Sequence, residues 1–494
     1  YNFLKNNIKI NIPSKVNLAA SSLVAFFMAP ALMFAENWDD HDRSGRYTAL
    51  EVAKNYLNSC DKNAILFTNG DNDTFPLWYA QEVEGIRTDI KVVNLSLFNT
   101  DWYIDQMKRA SYDAQPIPSS LKHEDYRSGT RDYTPIFEKT KDRVDVKQVV
   151  QFINSNNPNR KIRTSGGLRN YCPTKKLKLE VNFEKKARDY TSNFMKSYKS
   201  SSVSDSIEIS QKIYTDTLAH FKSFIPKEYQ NKIVSEIKWQ LKGNGLYKNK
   251  LMVLDILANF NWERPIYFAT TVGQDNFMGL EKYFQLEGLT YRLVPYIAQS
   301  PDRQPGVVHT EKMYQRLTKD FVWGGYNNPD TYFDETNTRM VLNFRNSYSR
   351  LAESLIQKQD TARAVETLDK CINEFSSKVI PFSYYAPFMI DIYLRAQQDD
   401  KGKNILVDMI DRYVDEYKYL RAFTYNSGVN QNERIALQIL GNLNQIISIH
   451  KLSNNKFDYF EKDGSYFMQK DDLEEEIDYQ TFRINTFVSE FLEL

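Results

Sequence analysis

The chain has 494 residues, 41% hydrophobic and 26% charged, which fits a globular protein of two or three domains with sizeable cores. Its 64 basic and 63 acidic side chains give a net charge of +1, so the electrostatic footprint of a nucleic-acid binder is missing and nucleic acid is not expected as a partner. Three widely spaced cysteines, Cys60, Cys172 and Cys371, suggest neither a disulfide framework nor a zinc cluster.

Val16 to Ala35, VNLAASSLVAFFMAPALMFA, is 20 residues without a charge, enough to cross a bilayer core of about 30 Å. A secretory signal peptide is the rival reading, because lysines precede the run and ALMFA resembles a small-residue cleavage site. The chain starts at Tyr1 and not at Met, so it is expected to be part of a longer protein. Lys5, Lys9 and Lys15 precede the run, and Glu36, Asp39 and Asp40 follow it. That bias places the N-terminal flank in the cytoplasm and everything after about Glu36 outside it.

The densest polar cluster comes next, ENWDDHDRSGRY from Glu36 to Tyr47. His41, Asp42 and Arg43 within it are candidate ligand-binding residues, although a linear run seldom meets the geometry of a hard cation alone. A solvated turn ahead of a helix explains them equally. Ser44 to Asn58 is then an amphipathic helix, and His41 and Asp42 would reach a shared acidic pocket if they folded back toward Asp71 and Asp73.

Ala64 to Thr68 is a short buried strand ended by Asn69-Gly70. Asp73 or Thr74 is expected to cap the following helix, with Pro76 in its first turn and Gly85 as its stop. Ile90 to Leu97, IKVVNLSL, is a second buried strand, so the unit is strand, helix, strand with parallel pairing. GDNDT therefore falls at the carboxyl end of a parallel strand, where ligands bind in open sheets. Asp71, Asn72 and Asp73 are the candidate ligand residues. Capping explains Asp73 but leaves Asp71 over, and any divalent cation would sit on Asp71 and Asp73.

Ser111 to Arg143 lacks a period and is expected to be a long loop, followed by a helical Val144 to Ile153. Lys175 to Val181 alternates as a half-buried edge strand, and Lys185 to Gln240 contains helical patches. Leu251 opens a helix, and Pro265 to Thr270 is another strand of the first sheet, brought back after about 170 residues. NWERP, Asn261 to Pro265, offers Trp262 and Arg264, an aromatic beside an arginine that suits a sugar or a carboxylate. It lies at the strand's N-terminal end, where a packed turn is the competing role.

From about Thr338 helices dominate. Ala352, Ala364 and Cys371 are small residues separated by 12 and 7, the spacing of a tetratricopeptide-like helix pair. Tyr384 to Ala396 with Asn404 to Tyr417 forms a second pair, and Asn432 to His450 is a last long helix. No GxGxxG, GxxxxGK[ST], GxSxG, HExxH or CxxC occurs, so the common cofactor and hydrolase signatures are missing and no cofactor beyond a divalent cation is suggested. A free-standing metal-dependent hydrolase would need bound cation and turnover by the soluble part alone.

Together ENWDDHDRSGRYTA, ILFTNGDNDTFPLWYAQEVEGIRTDIKVVNLSL, DWYIDQM and LDILANFNWERPIYFAT resemble the C-terminal half of a Bacteroidota membrane-protein family. That family is catalogued as domain of unknown function 2723 and is related to protein O-mannosyltransferases. The resemblance covers about Val16 to Pro295 and implies a last membrane span followed by a periplasmic region of an inner-membrane glycosyltransferase-like protein. It implies a lipid-linked sugar donor and an exported protein or glycan as acceptor. The catalytic residue of such enzymes belongs to a multi-span part not present in this chain, so no catalytic residue is carried over.

The expected organisation is a cytoplasmic tail and transmembrane helix over 1–35, then an α/β domain with a mainly parallel sheet over 36–300, carrying an insertion at about 111–250. A connector over 301–337 and an all-α tetratricopeptide-like region over 338–494 complete it. The helical repeats would dock other envelope proteins. A non-enzymatic scaffold of an envelope or secretion complex is the alternative to a role in sugar transfer.

Overall fold

A computed structural model describes residues 14–450 except 39–40, 42, 165–166, 199–202 and 425–430, together with 460–462 and 465–467. Helix α1 (Ser14–Phe26) runs through a π-helical turn at Phe27–Ala31 into α2 (Leu32–Asn37), and Leu18–Asn37 is long and apolar enough to cross a membrane. Pro30 lies within that π turn, where a missing N–H is accommodated by the altered hydrogen-bond pattern. A membrane anchor and a signal sequence both fit this helix.

The first half is built on a six-stranded mixed sheet. Helix α3 (Thr48–Asn58) leads into β1 (Ile65–Thr68), then α4 (Asp71–Glu82), β2 (Lys91–Asn94) and α5 (Asp101–Met107). The chain then leaves the sheet through α6 (His123–Tyr126), β3 (Tyr133–Pro135), β4 (Val144–Asp145), α7 (Val146–Ile153), the hairpin β5 (Lys161–Thr164) and β6 (Gly167–Asn170), and β7 (Lys176–Glu180). Helices α8 (Phe183–Ser197) and α9 (Val203–Lys222), strands β8 (Glu236–Gln240) and β9 (Gly245–Tyr247), and α10 (Lys248–Ala258) complete the excursion.

It returns as β10 (Ile266–Ala269), β11 (Phe284–Glu287), β12 (Thr290–Leu293) and β13 (Val307–Val308). The order is β13-β11-β12-β10-β1-β2. β1 is parallel to both β2 and β10, with Ile65 opposite Ile266, and β11 is parallel to β13, while β12 runs antiparallel to its two neighbours. The four residues of β1, β2 and β10 are buried throughout, as strands covered on both faces must be.

Several sequence expectations shift. The expected edge strand, Lys175 to Val181, is internal as β7: β8 pairs antiparallel on one side and β4 parallel on the other. Its Leu177 and Leu179 are buried while the lysines face outward, so the alternation reports one covered face and not a free edge. The second buried strand ends at Asn94, because the Asn94 side chain accepts from the Ser96 and Leu97 amides and turns the chain. The stretch Lys185 to Gln240 holds the expected helical patches as α8 and α9, and closes with β8.

A buried charge cluster joins the sheet to the helix after it. Glu287, fully buried, accepts from Lys312 Nζ at 3.0 Å, Arg316 Nη1 at 3.2 Å and the Tyr267 hydroxyl at 2.9 Å. Asp61 accepts from the same Lys312 and Arg316 and from Arg292. Arg292 also lies 3.8 Å over the Phe224 ring. Lys312 comes from α11 (Thr310–Gln315) and Arg316 from the π turn Arg316–Asp320 that ends it. Burial alone would raise the Glu287 carboxyl, but the Lys312, Arg292 and Arg316 cations outweigh it and hold it well below the usual carboxylate range. Asp61 is lowered against the same burial penalty by the same three cations.

Gly288, in the two-residue turn between β11 and β12, has φ +72°, and a Cβ there would lie 2.3 Å from Ser59 Oγ. The later chain is helical through α12 (Glu335–Gln357), α13 (Thr361–Glu374), α14 (Ala386–Arg395), α15 (Asp399–Thr424) and α16 (Gln431–His450). The stretch expected to be all-α also holds an antiparallel pair, β14 (Phe460–Lys462) and β15 (Ser465–Phe467). Ala352, Ala364 and Cys371 are fully buried, so the small residues do sit where helices meet. Trp323 packs on Phe344 and Phe375, and Arg350 bonds Asp302 at 2.7 Å and the Pro305 carbonyl at 3.0 Å, tying α12 to the sheet end.

Replacing Glu287 with Gln leaves three cations around one carboxylate, so the variant should lose about 3–5 kcal/mol of stability. The folded-state carboxyls of Glu287 and Asp61 are depressed. Their contribution is therefore complete above the unfolded carboxylate values of about 4 and is lost as pH falls below them. Thermal unfolding of the parent should be flat from neutral pH to about 5 and drop below about 4. The Gln variant should start lower and fall less steeply.

Candidate functional site

GDNDT lies where expected, past the carboxyl end of β1 and beside those of β2 and β10. The helix cap is Gly70 and not Asp73 or Thr74. Gly70 is extended (φ −100°, ψ 177°), and Asp73, third in the helix, accepts the Gly70 amide at 3.0 Å and the Asn69 amide at 3.3 Å. This is the reciprocal half of a capping box, which lets a glycine stand where a side-chain acceptor is usual. Pro76 falls in the second turn of α4, six residues in, and its missing N–H leaves the Asn72 carbonyl without an intrahelical donor.

The same carboxylate accepts from the Thr271 hydroxyl at 2.7 Å, and Asn276 Nδ2 reaches Asn69 Oδ1 at 3.2 Å. The loops after β1 and β10 are thus joined side chain to side chain. Thr74 bonds Thr68 at 2.8 Å and accepts from Asn94 at 2.9 Å, and Ser96 donates to the Asn69 carbonyl at 2.8 Å. These polar groups satisfy one another, which makes the buried part of the motif a knot that clamps three strand ends.

Asp71 and Asn72 are exposed and point elsewhere. They line a cleft of about 370 Å³ formed by α3, α4 and the start of α12, with Thr48, Asp334 and Asn337 opposite. Asp334 is neutralised by Arg46 at 2.7 Å and accepts from the Asn337 amide at 3.0 Å, and Thr48 bonds Asn337 at 2.9 Å. Among the described residues Asp71 accepts only from the next amide, Asn72, at 3.0 Å. Asp71 and Asp73 therefore do not converge. Among the described residues no group of three or more His, Cys, Asp and Glu is placed to hold a metal ion.

His41 is exposed and its Nδ1 lies 2.7 Å from the Asn37 carbonyl, at the end of its own helix. Arg43 is exposed, and its carbonyl accepts from the Arg46 amide. Asp42 lies outside the described residues. Trp262 is buried with φ +65°, packs against Phe260 and Phe183, and donates to the Glu180 carbonyl at 3.2 Å. Arg264 donates to the carbonyls of Asn63 at 2.8 Å and Pro116 at 2.6 Å. Trp262 and Arg264 thus serve different neighbours and do not form one recognition surface.

One group escapes a reading of the sequence. Lys91, in the run IKVVNLSL, looks like an interruption of a buried strand, and it is buried. Its ammonium donates to the Arg109 carbonyl and to Ser111 Oγ, each at 2.7 Å. Burial, and then the neighbouring Arg264 cation, lowers it to about 8. A charged residue inside an otherwise apolar strand is the available signal, and solvent exposure at a strand edge is the ordinary explanation that hides it.

Asp73→Ala removes the acceptor for two amides and a hydroxyl and should cost about 1–3 kcal/mol, whereas Asp71→Ala should stay within about 0.5 kcal/mol of the parent. Urea unfolding of the two variants side by side checks this.

The model of the TMEM260-associated domain 2 matches residues 49–222 and 215–312, spanning α3 through α11 and more than half of the chain. No curated protein and no solved structure matches it. The chain belongs to the family of TMEM260-associated domain 2, a domain linked to a membrane-protein family.

Proposed function

We propose that the chain is the periplasmic C-terminal portion of an inner-membrane glycosyltransferase-like protein of the family catalogued as domain of unknown function 2723. In this reading 1–35 is the cytoplasmic tail and last span, and 36–300 is an α/β domain that contacts the acceptor, an exported protein or glycan. The connector 301–337 leads to a tetratricopeptide-like region, 338–494, that docks envelope partners. The lipid-linked sugar is handled by membrane helices upstream of this chain. The observation that carries the reading is the apolar helix Leu18–Asn37 standing directly ahead of a domain of a membrane-protein-associated family. The lysines before that helix and the acids after it agree with an extracytoplasmic domain.

A second reading, a scaffold without sugar chemistry, draws support from the GDNDT knot, whose buried groups are all engaged within the fold. Intact masses of exported proteins from cells with and without the complete gene decide between the two. Loss of a defined sugar mass in the deletion strain supports the transferase reading. Unchanged masses, with stoichiometric partners recovered after mild solubilisation, favour the scaffold.

A further inference from the structure

Between α4, α5 and β2 lies a cavity of about 400 Å³ whose walls are aromatic and whose base carries Lys91. Phe75 and Trp78 stack at 5.5 Å on one wall, and Trp102 closes the other, with Phe75 and Trp102 each 56% exposed. Lys91 itself is 2% exposed and forms no ion pair among the described residues. Its two acceptors are neutral, which leaves one ammonium N–H over. A buried ammonium on neutral acceptors alone is held against its desolvation, and an anion is the partner that would offset it.

The mouth is shaped by the turn that receives this ammonium. Ser111 and Ala114 exchange backbone hydrogen bonds at 3.1 and 2.9 Å, and between them Tyr112 has φ +50°. A bulky residue rarely adopts that left-handed backbone, so the turn holds Tyr112 in place against its own preference. The Tyr112 hydroxyl donates to Glu82 across the rim. Glu82 places a negative charge on the rim, so a ligand's anionic group is disfavoured there and favoured only at Lys91.

We propose that this cavity binds a ring compound bearing a single carboxylate, with the ring held between Phe75–Trp78 and Trp102 and the carboxylate on the Lys91 ammonium. Aromatic walls accept either a flat ring or the C–H face of a pyranose, and an ammonium recognises the carboxylate in both. The ligand is therefore an aromatic acid or a uronic sugar. The inference stands on the cavity alone and does not depend on the transferase reading.

Calorimetric titration of the full chain in detergent tests it, with phenylacetate and glucuronate as probes and phenylacetamide and glucose as their neutral counterparts. Saturable binding of one carboxylate, at least about 10-fold tighter than its neutral counterpart, is expected, since a charged hydrogen bond contributes about 1.5–3 kcal/mol. Phenylacetate alone identifies the aromatic acid, glucuronate alone the uronic sugar, and both together the shared chemistry. Lys91→Met should weaken binding at least about 10-fold while keeping the aliphatic stem. Should that variant fail to fold, Trp102→Ala at an exposed position should weaken it as well. No saturable binding of either carboxylate, or equal affinity for charged and neutral probes, overturns the proposal.

Discussion

A carboxylate with no access to water, Glu287, is compatible with the folded state only because three cations from two separate parts of the chain surround it. Arg292 comes from the same hairpin, while Lys312 and Arg316 come from α11 and the π turn after it. Asp61, in the turn before β1, completes the balance from a third direction. None of these elements can move without exposing an uncompensated charge, which is why the antiparallel hairpin, the parallel pair β1–β10 and the first helix after the sheet hold one arrangement. The π turn answers the same demand, since widening the helix there brings Arg316 to Glu287 as α11 ends.

With that cluster fixing one end of the strands, the GDNDT knot fixes the other. Asp73 and Thr74 gather the loops after β1, β2 and β10, and their hydrogen-bonding capacity is consumed in doing so. A different set of residues faces outward. Asp71 and Asn72 look into a cleft shared with α12, and Phe75, which lines that cleft too, stands with Trp78 at the cavity beside Lys91. The α4 helix thus borders a polar cleft and an aromatic one, and the turn ahead of α3 reaches the polar cleft through Arg46, with Thr48 at the start of α3 beside it.

Local physics makes much of this legible from the residues alone. The apolar run ended by Asn-Gly becomes β1, and the run after NWERP becomes β10, its parallel neighbour in the same sheet. The small residues Ala352, Ala364 and Cys371 mark a helix contact because only a short side chain lets two backbones approach. The cap differs by three residues from the expected Asp73. A helix start is normally sought in a side chain, whereas here it is a glycine whose amide is served from inside the helix. Lys175 to Val181 differs from the expected edge, since alternation reports which face is covered and carries no information about how many neighbours a strand has.

The sequence by itself determined the apolar N-terminal helix, the strands β1, β2 and β10 and the helical run from α12 onward, because each rests on composition and spacing along a continuous stretch. Only the tertiary structure decided which charges are neutralised. Asp61, Glu287, Arg292, Lys312 and Arg316 are spread over some 250 residues, and no spacing rule couples groups so far apart. The same holds for Asp71 and Asp73, two positions apart in the chain and facing different surroundings, and for Lys91, whose ammonium meets no carboxylate among the described residues because of the packing around it.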